Sequence, residues 1–360
     1  MNKFKKIGLT ALATSLVASS AYAAEVSISG GAGVTWSTQS GTSGAAVDHG
    51  KGIGNDNALS FSASGEMDNG WTVSTATALD SATDLSSSSV SMTMGSLGTL
   101  KWGMGMAGNA GNYDGLAGAY DEVDDGGATT LSTNSIGSTV DNGGIFYTSP
   151  TVDAGGAALT LHLGYTPRVT DSDITGGGAS GATSLGSGQN AGVTISSDAG
   201  LTLGVFANTV SKNKAADQDT FQGTWYATYA MGPISIGYQQ SYVDNGVAGA
   251  AQLAGTTKTF AAGTGTFEAD QWSIIMNVND NLSVSYAEAD DTYDATAGWV
   301  TASVAGDSIA DVTMSLKSIQ AAYSMGSMSI KAYRTETDNA GYVTGGGSNT
   351  VNEIALGLSF

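Results

Sequence analysis

An alternation with a period of two runs into the last residue of this chain, and it restricts the fold more than any other feature. From Thr350 to Phe360, the residues Ile354, Leu356, Leu358 and Phe360 fall on one face of an extended strand, while Glu353, Ala355, Gly357 and Ser359 fall on the other. One wholly apolar face backed by a small or polar one suits a sheet that stands between oil and water. An aromatic ring at the end of such a strand sits at the height of the lipid–water interface, as in strands that close outer-membrane barrels.

The same period recurs in about sixteen segments bounded by Gly, Asn, Asp and Ser. The first runs from Glu25 to Thr38, with Val26, Ile28, Gly30, Ala32, Val34 and Trp36 on one face and Ser27, Ser29 and Thr35 on the other. Tight-turn sequences join neighbours, among them Met67-Asp68-Asn69-Gly70, Gly95-Ser96-Leu97-Gly98, Ser197-Asp198-Ala199-Gly200 and Asn279-Asp280-Asn281. Between these short turns lie long polar connections, expected over 39–57, 80–88, 107–143, 167–188, 208–219, 244–266, 289–310 and 335–349. Short connections on one side and long ones on the other predict a 16-stranded antiparallel transmembrane β-barrel over residues 24–360. Lipid offers no hydrogen-bond partner, so a sheet that spans it has to close. Pro150, Pro167 and Pro233 all fall at predicted strand ends, where a missing N–H breaks no ladder bond. One strand changes phase: Val312, Met314 and Leu316 are even-numbered, whereas Ile319, Ala321 and Tyr323 are odd, which predicts a bulge near Lys317.

Composition removes the competing classes. No segment beyond the N-terminus approaches the ~18 apolar residues of a spanning helix, although 41% of the residues are hydrophobic. Glycine is abundant at 52 residues and cysteine is absent, so stability has to come from a large hydrogen-bonded framework rather than from disulfides. Lys3, Lys5 and Lys6 precede an apolar run from Ile7 to Ala18 and the small-x-small triplet Ala21-Tyr22-Ala23, which predicts a signal peptide over residues 1–23. Its removal leaves 9 basic residues against 32 acidic ones, a net charge of −23. Such a surface repels nucleic acid and fits an outer-membrane lipid and lipopolysaccharide setting in which divalent cations bridge acidic loops to phosphates. The small lipid-facing residues Gly30, Ala32, Ala63, Gly65, Thr75 and Thr77 suggest a wall packed on another barrel.

A barrel of this size leaves an aqueous lumen, so something has to set its bore. The longest connection, 107–143, embeds Tyr113, Leu116, Tyr120 and Val123 among glycines and acids, which argues for a folded segment with something to pack against. The N-terminal leader, the start Ala24-Glu25-Val26-Ser27-Ile28-Ser29-Gly30, the hairpin Gly95 to Gly103, the Gly/Asp-rich loop after it and the ending Leu356-Gly357-Leu358-Ser359-Phe360 together resemble the general diffusion porins of alphaproteobacteria. The resemblance covers the full length. It implies a homotrimer of sixteen-stranded barrels in the outer membrane that pass small hydrophilic solutes and ions, with the third long loop folded into each barrel as a constriction.

Carried over by position, the resemblance puts Asp114, Asp121, Glu122, Asp124 and Asp125 at or near the narrowest point. The family opposes such acids with a basic cluster on the facing wall. Here the candidates are few: Lys101, inward because Leu100 and Trp102 point out, with Arg168 and Lys331, while Lys317 sits at the phase change and Arg334 at the rim. So few positive charges predict weak cation selectivity. Carboxylates among glycines also make Asp121, Asp124 and Asp125 candidates for a structural calcium ion, although their spacing is not that of an EF-hand. No other cofactor is expected. An outer-membrane enzyme would need a histidine paired with an acid or a serine at the rim, but the chain has only His49 and the mid-strand His162. An acidic adhesin would show a fixed repeat, and the sequence has none. A substrate-selective porin is the nearest alternative; it would need a basic or aromatic ladder along the lumen, and inward Lys, Arg and aromatic positions are too few to propose one.

Overall fold

The computed structural model describes residues 25–43, 46–80, 84–104, 113–116, 118–120, 123, 131–134, 136–137, 143–167, 185–212, 218–246, 265–294, 311–342 and 347–360. The chain forms one sheet of seventeen segments. The first nine are β1 (Glu25–Ser43), β2 (Ala46–Glu66), β3 (Thr72–Asp80), β4 (Asp84–Thr93), β5 (Thr99–Met104), β6 (Gly144–Thr148), β7 (Val152–Asp153), β8 (Ala157–Thr166) and β9 (Leu185–Ser197). The remainder are β10 (Leu201–Lys212), β11 (Thr220–Met231), β12 (Ile234–Asp244), β13 (Thr266–Asn279), β14 (Leu282–Asp294), β15 (Val312–Met325), β16 (Met328–Asp338) and β17 (Ser348–Ser359). β6 and β7 both pair with β8, so they are two halves of one stave interrupted around Pro150. The barrel therefore has sixteen staves.

Every pairing is antiparallel, and β17 returns to β1 in unbroken register from Gly31 opposite Ser359 to Gly41 opposite Asn349. The seam extends to the final residue: Gly30 N donates to Phe360 O at 2.8 Å and Phe360 N donates to Gly30 O at 3.0 Å. Phe360 folds its ring over the same glycine, where a Cβ would lie 2.7 Å from the ring. No sheet edge is left, which is what a sheet in lipid requires.

Alternation sorts the side chains as the period-two pattern demands. Val205, Ile236, Ile274, Ile330, Ile354 and Leu358 point outward and are 37 to 62% exposed on the isolated barrel. Outward aromatic residues turn their polar atoms toward acids and amides on the same face: Trp225 Nε1 donates to Gln240 Oε1 at 3.0 Å, Tyr286 OH donates to Glu288 Oε1 at 2.6 Å, and Tyr238 OH donates to Asp270. This amphipathic belt marks where lipid gives way to water.

Two connections and one strand differ from the sequence expectations. The long connections expected at 39–57 and 80–88 are mostly strand: β1 pairs with β2 out to Ser43 opposite Ala46, and β3 pairs with β4 out to Asp80 opposite Asp84. Apolar alternation reports only the part of a stave that touches lipid, and the backbone ladder continues beyond it. The bulge expected near Lys317 is absent, because β15 keeps one register with both β14 and β16. Val312, Met314 and Leu316 are apolar residues on the inner face, 0 to 3% exposed, so the phase change is one of hydrophobicity and not of backbone.

Candidate functional site

The inner wall has two unlike halves. Over β1 to β5 its residues include Ser27, Ser29, Gly31, Gly33, Thr35 and Ser37, their partners Asp56, Ser60, Ser62 and Ser64, then Ser74, Ser89, Ser91 and Lys101. None of these is buried. Hydroxyls bond to one another across strands, with Ser27 Oγ 2.6 Å from Ser62 Oγ and Thr93 Oγ1 3.2 Å from Thr99 Oγ1. A wall of this kind offers water many weak partners and few fixed charges.

Over β8 to β17 the inner face is largely buried, and described residues of the 107–143 segment lie on it. Tyr113, Leu116, Val123, Leu131 and Ile136 are 2 to 6% exposed. Tyr113 packs against Phe206 with the rings tilted by 38° and their centres 4.8 Å apart, and it donates to Ala207 O at 3.1 Å. Backbone N–H groups of the segment's described residues bond to inward side chains: Gly115 N donates to Gln239 Oε1 at 2.9 Å, Ala119 N to Ser285 Oγ at 2.8 Å, Tyr120 N to Gln320 Oε1 at 2.9 Å and Gly137 N to Gln222 Oε1 at 3.0 Å. Each such acceptor satisfies a donor that would otherwise lose its hydration, a loss of about 1–3 kcal/mol.

Glycines on this half let rings lie flat against the wall. A Cβ at Gly192 would stand 1.9 Å from Phe206, and one at Gly204 or Gly115 would stand 2.2 Å from Tyr226. The aromatic residues occupy thickness that side chains on the wall would otherwise fill.

Of the sequence-predicted residues, Lys101 faces inward between Ser91 and Phe146 on the uncovered half. Lys331 also faces inward, but its ammonium sits 5.2 Å from the centre of the Tyr120 ring, whose hydroxyl donates to Glu353. Asp114 Oδ1 accepts from Leu116 N at 3.0 Å and so shapes the segment's own turn. Lys317 and Arg334 both point outward and pair there with Glu288 at 3.6 Å and Glu336 at 2.7 Å. Asp121, Glu122, Asp124, Asp125 and Arg168 lie outside the described residues. Among the described residues no group of three or more His, Cys, Asp or Glu side chains could hold a metal ion. His162 is buried, with Nε2 3.1 Å from Thr194 Oγ1 and its ring 5.7 Å from Phe206, so it packs under the segment.

A family model described as Gram-negative porin matches residues 8–282. The chain belongs to the Gram-negative porin family. Solved porin structures share the fold across nearly the whole chain. The anion-selective porin from Comamonas acidovorans superposes with a TM-score of 0.63 at 15% identity, covering 94% of this chain and 100% of that one. A porin refined at 1.8 Å superposes with a TM-score of 0.59 at 14% identity, covering 93% and 100%. OmpT of Vibrio cholerae gives 0.59 at 12%, covering 94% and 98%. A comparison with curated proteins finds no match. This porin is an outer-membrane protein of a Gram-negative bacterium.

The anchors of the segment were not among the residues singled out from sequence. Gln222, Gln239, Gln320, Asp291, Tyr342 and Glu353 hold it, and all but Tyr342 sit at inward positions of staves. The readable signal was parity: a glutamine or acid out of phase with the apolar set of its own strand faces the interior.

Proposed function

We propose that this porin is a general diffusion channel. It passes small hydrophilic solutes and ions through a water-filled bore with weak preference for cations, and it works as a homotrimer. The observation that carries this reading is the uncovered inner half from β1 to β5, which is lined by hydroxyls and glycines with Lys101 as its inward cation among the described residues. Such a surface lets hydrated solutes pass and grips none of them. The cation preference is supported by the overall charge of −20 and by the engagement of Lys331 with Tyr120, which leaves little positive charge to oppose acids. In this reading the 107–143 segment narrows the bore, with Asp114, Asp121, Glu122, Asp124 and Asp125 near the narrowest point.

The trimer rests on the outer face of β1 to β4. There Gly30, Ala32, Ala63, Gly65, Thr75 and Thr77 stand outward, joined by Asn55 and Asn57 opposite Val34 and Ala32. Amides facing lipid would lose hydration without gaining partners, so a neighbouring barrel is the better covering. Residues 1–23 act as the export signal and 24–360 form the barrel.

Reversal potentials in a salt gradient across a planar bilayer test the reading. Conductance in three equal steps with a cation-sided potential is expected, and Asp121→Asn with Glu122→Gln lowers the cation-to-anion permeability ratio. A potential unchanged in that double variant removes both residues from the narrow point, and a protein that carries no current refutes the channel itself.

A further inference from the structure

The connection between β16 and β17 reaches into the barrel. Asn339 and Tyr342, with φ of 52° and 55°, are the two non-glycine residues in the left-handed region among those described. That region is disfavoured for a bulky side chain and persists only where the surroundings enforce it. Here the enforcement is visible. The Tyr342 ring is 1% exposed and stands edge-on to Phe267 at 5.2 Å, with Tyr293 at 6.0 Å, on the inner faces of β13 and β14.

The hydroxyl of that ring has two roles. It donates to Asp291 Oδ2 at 2.8 Å and accepts from Ser132 N, also at 2.8 Å. Asp291 Oδ2 accepts in addition from Thr133 N and Thr133 Oγ1, each at 3.2 Å. Asp291 is 0% exposed. One carboxylate and one phenol, from a stave and from a different connection, thus meet the 131–137 part of the long segment within two consecutive residues. The earlier part is held by neutral amides and hydroxyls at Gly115, Ala119 and the Tyr120 backbone, and by the bond from the Tyr120 hydroxyl to the Glu353 carboxylate. Hydrogen bonds to an ionised group are the stronger kind, and Asp291 takes three of them from Tyr342 and Thr133, so the hold at Ser132 and Thr133 is the firmer one.

We propose that Tyr342 and Asp291 are positioning residues for permeation: they pin the 131–137 part of the segment to the wall and so set the fraction of time the pore stays open. The proposal rests on the reading of that segment as the narrowing element. It makes the connection between β16 and β17, which joins the two staves before the seam, a strut of the channel and not only a surface loop.

Single-channel recording of the full-length protein in planar bilayers tests it, with the melting temperature of the same preparations measured alongside. Tyr342→Phe keeps the ring packing and removes only the hydroxyl. The expected result is an unchanged fully open conductance, a closed fraction raised about tenfold, which is the scale of one lost bond to a charged group, and a melting temperature that falls too little to account for that rise. Asp291→Asn keeps the shape but not the charge and raises the closed fraction less than Tyr342→Phe does, whereas Asp291→Leu removes the acceptor altogether and raises it at least as far. A parent that conducts, with Tyr342→Phe closing no more often than it does, overturns the proposal alone. A closed fraction that rises only in step with a falling melting temperature overturns it as well, since both residues would then merely support the sheet. A parent that carries no current defeats the channel reading beneath it.

Discussion

The wall from β1 to β5 and the wall from β8 to β17 belong to one continuous sheet with one hydrogen-bonding pattern, yet their inner faces are built on opposite principles. The first presents serines, threonines and glycines to open space. The second presents amides, aromatic rings and apolar side chains to a segment that covers them. A barrel interior thus need not be uniformly polar: where part of it is roofed, that part packs like the core of a soluble protein. The burial of Val312, Met314 and Leu316 inside a membrane barrel follows directly.

The comparison breaks most sharply at its glycines. Gly192→Ala puts a Cβ 1.9 Å from a ring that Tyr113 and His162 hold in place, whereas Gly33→Ala on the open half meets nothing closer than 3.7 Å. The first should lower unfolding stability by ~1–3 kcal/mol, and the second should stay within about 0.5 kcal/mol. Equal urea midpoints would mean that the covered half is not close-packed. Next in size is a change of charge on the open half. Ser62→Arg with Ser89→Arg should move the reversal potential clearly toward anions, because both positions face the bore on β2 and β4. No movement would show that ions travel elsewhere.

A smaller effect is expected at Gln239→Leu, which strips Gly115 N of its acceptor. The loss should be about 1 kcal/mol, seen as noisier open-channel current and a slightly lower melting temperature. The smallest concerns alkali. Burial, and then the neighbouring Asp291 carboxylate, raise the Tyr342 phenol above its ordinary value of 10.0. A group raised on folding contributes its full stabilisation below about pH 10, its unfolded value, and loses it as pH climbs toward the folded one. The parent should therefore gain closures above about pH 10 that Tyr342→Phe, already lacking the hydroxyl, does not add. Identical alkaline responses in the two proteins would assign the effect to another group.

Much of the barrel was readable because lipid imposes a strict period on what touches it. Ile354, Leu356, Leu358 and Phe360 could be placed on a face before any coordinates. The ladders beyond Thr38 and Leu79 could not, because outside lipid a strand of Ser, Gly and Asp satisfies its backbone without any hydrophobic rhythm. The phase change in β15 was seen but assigned to the backbone, since apolar residues facing a lumen make sense only once something is known to cover them. The same gap hid Asp291 and Tyr342. In the sequence Asp291 is only the neighbour of another acid, Asp290, yet the pair splits, Asp290 outward and Asp291 inward.

The bonds exchanged by Gly30 and Phe360 bear on how such a molecule comes into being. Its two joined margins are separated by almost the entire polypeptide, so the pairing that seals the circle closes the longest loop of the sheet and has the largest loop-closure entropy of any single pairing. Until then both margins display unsatisfied donors and acceptors that any other extended peptide could capture. A newly exported chain is therefore most vulnerable to misassembly just before completion, and whatever shelters it has to hold those two margins until they can meet.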